Sequence, residues 1–253
     1  MIFLIKKRKL VLDMFTYRQT VFDIAKPKMA AHFYPEWWKG LKTEVPVAGD
    51  LFPMSTMKRC AGLIDHYKHG FILPLWSDFR IELGAIGDPY FAAKFSDTIT
   101  TMSQHGTILR GAYAPESHYC HLKFENPWVA RCNENVYFKW EQPTWNMTNL
   151  TNYTLLPGTV EYKYQTSMHV NMMFARQAKK NLLELKFGHP LVHITPLTER
   201  PLELRYHTVE FSEFQKFLLN EKISTTKTYR TYRQAKKAKE AEESKCPFGF
   251  GSK

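Results

Sequence analysis

The sequence predicts a mainly β protein, an antiparallel β-sandwich or barrel of the jelly-roll kind, with one short internal helix and a C-terminal helical extension. Short segments rich in aromatic and β-branched residues recur between turn-forming residues, as is typical of antiparallel sheets. The pattern has no alternating strand and helix units, which would indicate a parallel sheet. A chain of 253 residues, 44% of them hydrophobic, can bury a core without a disulfide or a metal.

The internal helix is predicted over residues 56–69, where apolar side chains recur at helical spacing and a hydroxyl at the start can cap the first turn. Gly70 stands where a left-handed residue would end this helix. The apolar run at residues 71–76 and the alternating residues 79–83 then predict a β-hairpin. Apolar side chains three and four positions apart indicate a second helix near residues 212–221.

The remaining strand candidates alternate in polarity or are rich in aromatic and β-branched side chains. They lie at residues 2–5, 9–15, 91–101, 107–113, 118–124, 129–132, 136–140, 159–165, 169–175, 182–187, 191–197 and 202–209. The Asn-Glu-Asn sequence at residues 133–135 predicts a hairpin turn between two of them. The inward positions of the helix and strands predict a core of Ile64, Leu73, Leu75, Phe79, Ile81, Val129, Tyr162, Val192 and Ile194.

Composition divides the chain into three parts. Residues 1–55 hold N-terminal strands and an irregular extension rich in aromatic residues and proline, residues 56–209 form the β core, and residues 210–253 hold the C-terminal helix and a basic tail. In the first part, Trp37 and Trp38 are candidate anchors for a protein partner. The alternative is that their loop covers a sheet and buries its own rings, since exposed aromatic patches are rare on monomers.

The formal net charge of +11 is concentrated at the two ends of the chain, in residues 6–9 and from Lys222 onward. Basic ends favour an acidic partner, such as nucleic acid or an acidic protein surface, although a solvated tail gives the same pattern. Because residues 225–244 have almost no apolar face, we expect this tail to become ordered only in an assembly. The predicted partner contacts in the tail are Arg230, Arg233, Lys236, Lys237, Phe248 and Phe250.

The sequence predicts no metal, no cofactor and no catalytic residue. The four cysteines form no CxxC pair, and the side chains that come nearest to a ligand set are His118, Cys120 and Cys132. On a strand, His118 and Cys120 share one face while His121 takes the other, so the three cannot converge on a zinc ion without a bulge. The HxD or HxE motif expected of a cupin-like iron oxygenase is also missing.

Two sets of residues are candidates for proton transfer, because imidazole titrates near neutral pH. Asp65, His66 and His69 share neighbouring positions on the predicted helix, whereas His189 and His193 flank the start of a predicted strand. The alternative for a histidine at the end of that helix is a simple favourable interaction with the helix dipole.

Three sequence blocks carry a family resemblance: residues 57–78, which run from MKRC to WSD, residues 124–131 (FENPWVAR) and residues 188–197 (GHPLVHITPL). Taken in order, they resemble a family of uncharacterised phage and bacterial proteins known only as a domain of unknown function. The resemblance spans residues 56–199 and implies a phage origin. It implies no known activity, and no catalytic residue can be carried over from it.

These observations favour a non-enzymatic structural or interaction protein, specifically a phage virion component that contacts other protein subunits through basic and aromatic extensions. The alternatives are a metal-dependent, cupin-like oxygenase or a nucleotide hydrolase on the same scaffold, and a nucleic-acid-binding module that uses the basic ends. The sequence lacks paired cysteines, a signal peptide and a window long enough to span a bilayer. We therefore expect no membrane partner and a location in the cytoplasm of the host cell and then in the virion.

Overall fold

The computed structural model describes residues 8–49, 51–98, 100–104, 118–146, 153–225 and 229–243. Across these ranges the chain is mainly β, and most of its strands pair antiparallel in several sheets. The sheets are arranged like a sandwich, with a C-terminal helix, and none of the described sheets closes into a barrel. The sandwich prediction is therefore confirmed, and the barrel alternative is wrong.

The strands are mostly short, as the sequence pattern indicates. They are β1 Leu10–Thr16, β2 Lys28–Met29, β3 Glu44–Val45, β4 Met54–Ser55, β5 Phe71–Pro74, β6 Phe79–Leu83, β7 Phe91–Phe95, β8 Met102–Gln104, β9 Tyr119–Phe124, β10 Val129–Arg131, β11 Phe138–Glu141, β12 Tyr153–Leu155, β13 Gly158–Val160, β14 Val170–Ala175, β15 Asn181–Leu185, β16 Pro190–Pro196 and β17 Leu202–Thr208. The α-helices are α1 Gln19–Ile24, α2 Glu36–Gly40, α3 Ala61–Lys68, α4 Phe211–Thr225 and α5 Tyr229–Glu243. Short 3₁₀ turns lie at Ala30–Phe33, Met57–Arg59 and Thr144–Asn146.

The pairing of the strands joins distant parts of the chain. A three-stranded sheet has the order β10-β1-β17, a five-stranded sheet β13-β11-β16-β5-β2, a four-stranded sheet β12-β14-β9-β8 and a three-stranded sheet β15-β6-β7. β3 and β4 form a separate two-stranded ribbon. The pair β1–β17 is parallel, an exception to the predicted antiparallel pattern that links the N-terminal strand to the last strand before the C-terminal helices.

One large buried cluster joins the four larger sheets, and it includes side chains of β1 as well as those of the predicted β core. The predicted core residues Leu73, Leu75, Phe79, Ile81, Val129, Tyr162, Val192 and Ile194 are all buried. Ile64 is only partly buried. The helix instead turns Leu63 and Tyr67 inward, a pair four residues apart on one helical face, where they form a smaller cluster with Ala30 and Ile72.

The predicted internal helix forms as a 3₁₀ turn followed by α3. The Thr56 hydroxyl accepts a hydrogen bond from the Lys58 amide (3.2 Å) and caps the turn. Gly70 follows the helix with φ 77°, the predicted left-handed residue. A Cβ atom at this position would collide with the carbonyl group of Ile194 in β16. Glycine therefore lets the end of α3 approach the five-stranded sheet at backbone distance.

Other local predictions differ from the structure. No hairpin forms around residues 133–135, because β10 pairs with β1 whereas β11 pairs with β13 and β16. The short helices α1 and α2 were not predicted, since elements of one to two turns carry too little periodicity to be recognised. The strand candidates at residues 2–5 and 107–113 lie outside the described residues.

Candidate metal centre

The candidate site lies where α3 packs beside the five-stranded sheet. Glu141 at the end of β11 stands directly opposite His193 of β16 in their antiparallel pairing. Directly opposed residues project their side chains to the same face of a sheet. His66 reaches this face from α3, so that three separate elements each contribute one functional group.

The nitrogen and oxygen atoms of these three side chains converge. One ligand atom from each of His66, Glu141 and His193 lies within 4.8 Å of the others, and the His66 Nε2 to His193 Nδ1 distance is 3.1 Å. The two imidazole rings meet edge to face, with centroids 4.4 Å apart. Within the described ranges, this is the group of His, Cys, Asp and Glu side chains whose spacing suits a metal ion.

The orientation of His193 is fixed by its surroundings. Its side chain is buried, and its Nε2 group donates a hydrogen bond to the carbonyl oxygen of His69 at 2.9 Å. The Tyr67 ring lies nearly parallel to the His193 ring, and the Tyr67 hydroxyl donates to the Asn146 side chain at 2.6 Å. Because Gly70 allows α3 to approach the sheet closely, the His69 carbonyl lies within hydrogen-bond distance of His193. This hydrogen bond holds the His193 imidazole in one tautomer.

The electrostatics favour neutral imidazoles. Burial lowers the pKa of His66 and of His193 below the usual histidine value. Lys139 adds to this lowering of both pKa values, whereas Glu141 opposes it. The Lys139 Nζ group lies 2.6 Å from a carboxylate oxygen of Glu141, so the carboxylate is already paired with an exposed cation.

An open pocket of about 420 Å³ adjoins the cluster. Besides His66 and Glu141, it is lined by side chains of α3, β11 and the chain after β16, among them Asp65, His69, Lys139, Leu197 and Glu199. A pocket of this size beside convergent polar groups has the general form of a small-molecule site.

The structure regroups the histidines that the sequence singled out. His66 and His193, which belong to different sets in the sequence, meet in one cluster. His69 contributes its backbone carbonyl to His193. His189 instead shares a hydrogen bond with the Tyr153 hydroxyl at 2.7 Å. The sequence did not identify Glu141 as a member of this cluster, because nothing in it indicated that β11 pairs with β16.

The predicted ligand candidates are not part of this cluster. His118 is exposed in a turn before β9, Cys120 is buried in β9, and Cys132 is buried just after β10. Burial raises the pKa of the Cys132 thiol, which disfavours the thiolate that a metal requires. In the described part of the chain, the metal-capable group contains none of these three residues.

The predicted partner-binding residues occupy different environments. Trp37 is 47% exposed, with its indole Nε1 donating to the Trp145 carbonyl at 3.3 Å. Trp38 is half-buried and stacks on Tyr34 with ring centroids 4.2 Å apart. The tail candidates Arg230, Arg233, Lys236 and Lys237 all lie in α5, whereas Phe248 and Phe250 lie outside the described residues.

Lys236 and Lys237 contact the chain's own core. Both ammonium groups lie 5.6 Å from the centre of the Tyr164 ring. Lys237 is also 3.7 Å from the buried carboxylate of Glu161. The tail therefore has polar contacts within the chain that its sequence pattern did not indicate.

Comparison of the chain with protein-family models gives no match, and no curated protein matches it. The resemblance to phage and bacterial proteins therefore stays a prediction. Among the helices of the described residues, none combines the length and the apolar character that crossing a bilayer requires.

Proposed function

We propose that this protein is a non-enzymatic interaction protein that docks on a protein subunit of an assembly through its N-terminal extension. The observation that carries the proposal is a two-stranded ribbon, β3 and β4, whose apolar side chains point into solvent. We call residues 44–49 and 51–57 the apolar ribbon. Its exposed apolar side chains are Val45, Val47, Leu51, Phe52, Met54 and Met57, with Leu51 95% and Phe52 80% exposed.

The apolar ribbon is held in place by polar contacts at its base. The Thr56 amide donates to the Thr43 carbonyl at 3.0 Å, and Arg59 pairs with Glu44 at 2.8 Å. A group of exposed apolar side chains on one short ribbon marks an interaction site, because exposure of apolar surface to water is unfavourable. Holding the ribbon in position before binding also reduces the entropy that docking would cost.

The neighbouring helix α2 contacts the residue that follows the ribbon and carries a further exposed aromatic side chain. Lys58, just beyond the ribbon, donates to the Trp38 carbonyl at 2.9 Å and lies 3.9 Å from the centre of the Trp38 ring. This contact supports α2, on which Trp37 is nearly half exposed. Aromatic and methionine side chains are enriched in protein interfaces, which supports the inclusion of Trp37.

The surrounding charges favour a protein partner over an anionic lipid or nucleic acid. Lys39 pairs with Glu36 at 2.5 Å and Arg59 pairs with Glu44, so two of the cations near the ribbon are neutralised. Binding to a phosphate-rich surface depends on unpaired positive charge. The finer proposal, a phage virion component, is supported by the sequence resemblance and by the basic tail.

Photo-crosslinking tests the proposal. A benzoylphenylalanine placed at residue 52 should form an adduct with one defined protein in the cells or particles that contain this chain. The matched control carries the same group at residue 182, because Leu182 is also exposed, at 49%, but lies on β15. Adducts at both positions alike, no protein adduct at residue 52, or insertion of the ribbon into lipid vesicles would contradict the proposal.

A further inference from the structure

The spacing of the His66 and His193 ring nitrogens fits metal coordination, and the Glu141 carboxylate lies close to both. Nitrogen and oxygen ligands lie about 2.0–2.2 Å from a divalent transition metal, which places adjacent ligand atoms about 3–3.5 Å apart. The 3.1 Å separation of His66 Nε2 and His193 Nδ1 falls in this interval. A carboxylate oxygen of the partly exposed Glu141 lies within 4.8 Å of both nitrogen atoms.

The hydrogen bonding of His193 also matches that of a metal ligand. The His69 carbonyl oxygen can only accept, so the His193 Nε2 atom carries the proton and the Nδ1 lone pair faces His66 Nε2 at 3.1 Å, where a bound ion would take the place of that hydrogen bond. Metal-bound histidines commonly donate their other ring N–H group to a carbonyl or a carboxylate in this way. The acceptor is backbone, so it stays in place whatever side chain occupies residue 69.

We propose that His66 Nε2, His193 Nδ1 and the Glu141 carboxylate bind one divalent transition metal ion, with its remaining coordination positions facing the adjoining pocket. Two imidazoles and a carboxylate are the ligand set of catalytic zinc and of non-haem ferrous sites, both of which keep positions open. This site is distinct from the proposed docking surface, and neither proposal depends on the other.

The protonation states suit this role. Metal binding requires neutral imidazole, and protons compete with the metal wherever the histidine is charged. Burial lowers the pKa of both histidines, which is the direction that favours neutral imidazole. The single negative charge of Glu141 would partly compensate the charge of the ion.

Lys139 distinguishes this proposal from a purely structural histidine pair. Its ammonium group forms an ion pair with the Glu141 carboxylate at 2.6 Å. A metal ion would compete with Lys139 for the same carboxylate oxygens. The Lys139 side chain is about half exposed, so it can move into solvent when the metal ion binds. Replacing Lys139 by glutamine should therefore strengthen metal binding a few-fold, because both the ion pair and the repulsion of the ion are lost. A hydrogen-bonded pair without a metal role predicts no such gain.

The test is titration of the chelator-treated full chain with Zn²⁺ by calorimetry and with Co²⁺ by visible absorption. We expect one ion per chain and Co²⁺ ligand-field bands that indicate nitrogen and oxygen ligands. Glu141→Gln and His66→Gln should each weaken the affinity at least about tenfold. These two residues are chosen because, unlike His193, neither is fully buried.

His69→Gln is the matched control, because His69 lines the same pocket but contributes only its backbone carbonyl to the cluster. This variant should keep the wild-type affinity and the Co²⁺ spectrum. The proposal is overturned by the absence of stoichiometric binding. An affinity that is unchanged in Glu141→Gln, or reduced as much in His69→Gln as in His66→Gln, would also overturn it. Circular dichroism of each variant separates lost binding from lost folding.

Discussion

At the scale of single residues, His169 shows how burial controls an ionisable group. It precedes β14 between the fully buried Met168 and Val170, and its buried Nδ1 atom has no hydrogen-bond partner in the described part of the chain. Burial, reinforced by the nearby Lys123, lowers its pKa to about 4. The folded protein thus holds this imidazole neutral at pH values where an unfolded chain would protonate it.

This difference in pKa predicts a pH-dependent stability. Between about pH 6.5 and pH 4 the unfolded state binds a proton that the folded state does not, so stability is full above this window and falls as the pH decreases through it. His169→Phe should remove this contribution, roughly 2 kcal/mol at pH 4.5. Urea unfolding at pH 7.5 and pH 4.5 measures it as the difference between wild type and variant.

The control for this prediction is the same substitution at the exposed His32, which tests for general effects of replacing an imidazole with a phenyl ring. A His169→Phe variant that loses as much stability on acidification as the wild type would show that His169 is protonated in the folded state.

At the scale of elements, the junction of α3 with β16 depends on Gly70. Alanine there would carry the strain of a left-handed backbone and a collision with the Ile194 carbonyl group. We expect Gly70→Ala to lower the unfolding free energy by about 3 kcal/mol or more, of which backbone strain alone accounts for about 1–2 kcal/mol. Urea denaturation measures this cost.

Gly87 provides the comparison, because it has a similar φ of 93° but nothing within 4 Å of the added Cβ. Gly87→Ala should cost only the backbone strain, about 1–2 kcal/mol. Equal costs at the two positions would mean that the close approach of α3 to the sheet does not limit stability.

The sequence predicted elements better than it predicted their partners. The left-handed Gly70, the strand β6 and the helix α4 follow from local patterns of glycine placement and hydrophobic spacing. Pairing is a property of distant segments, so the parallel β1–β17 pair and the missing hairpin at residues 133–135 could not be read from local alternation. The meeting of His66 with His193 depends on such pairing, because it requires α3, β5 and β16 to be neighbours.

At the scale of the whole molecule, α5 is attached to the core by polar contacts. Glu240 pairs with Lys163 at 2.7 Å and accepts a hydrogen bond from the Tyr164 hydroxyl at 3.2 Å. The hydrogen bond from Lys163 lowers the pKa of Glu240, so this carboxylate is charged at neutral pH. Exposed ion pairs contribute at most about 1 kcal/mol each and weaken in salt. We therefore expect the attachment of α5 to the core to weaken as the salt concentration rises.

Truncation of the tail tests whether this segment serves an assembly. A chain that ends at Glu221 should fold with nearly unchanged unfolding free energy, because none of the described side chains of α5 belongs to the large buried cluster. It should nevertheless fail to enter the complex that the full chain forms, since the basic groups of α5 would be missing. Co-sedimentation of each chain with its partner at low and moderate salt measures the loss, and binding by the full chain should weaken as salt screens the charges beyond about 8–10 Å.

The double substitution Lys236→Gln and Lys237→Gln is the matched control for charge, because it keeps the helix but removes two cations that face Tyr164. If the truncated chain assembles as well as the full chain, α5 is a solvated charged helix, and the basic tail gives no support for an acidic partner.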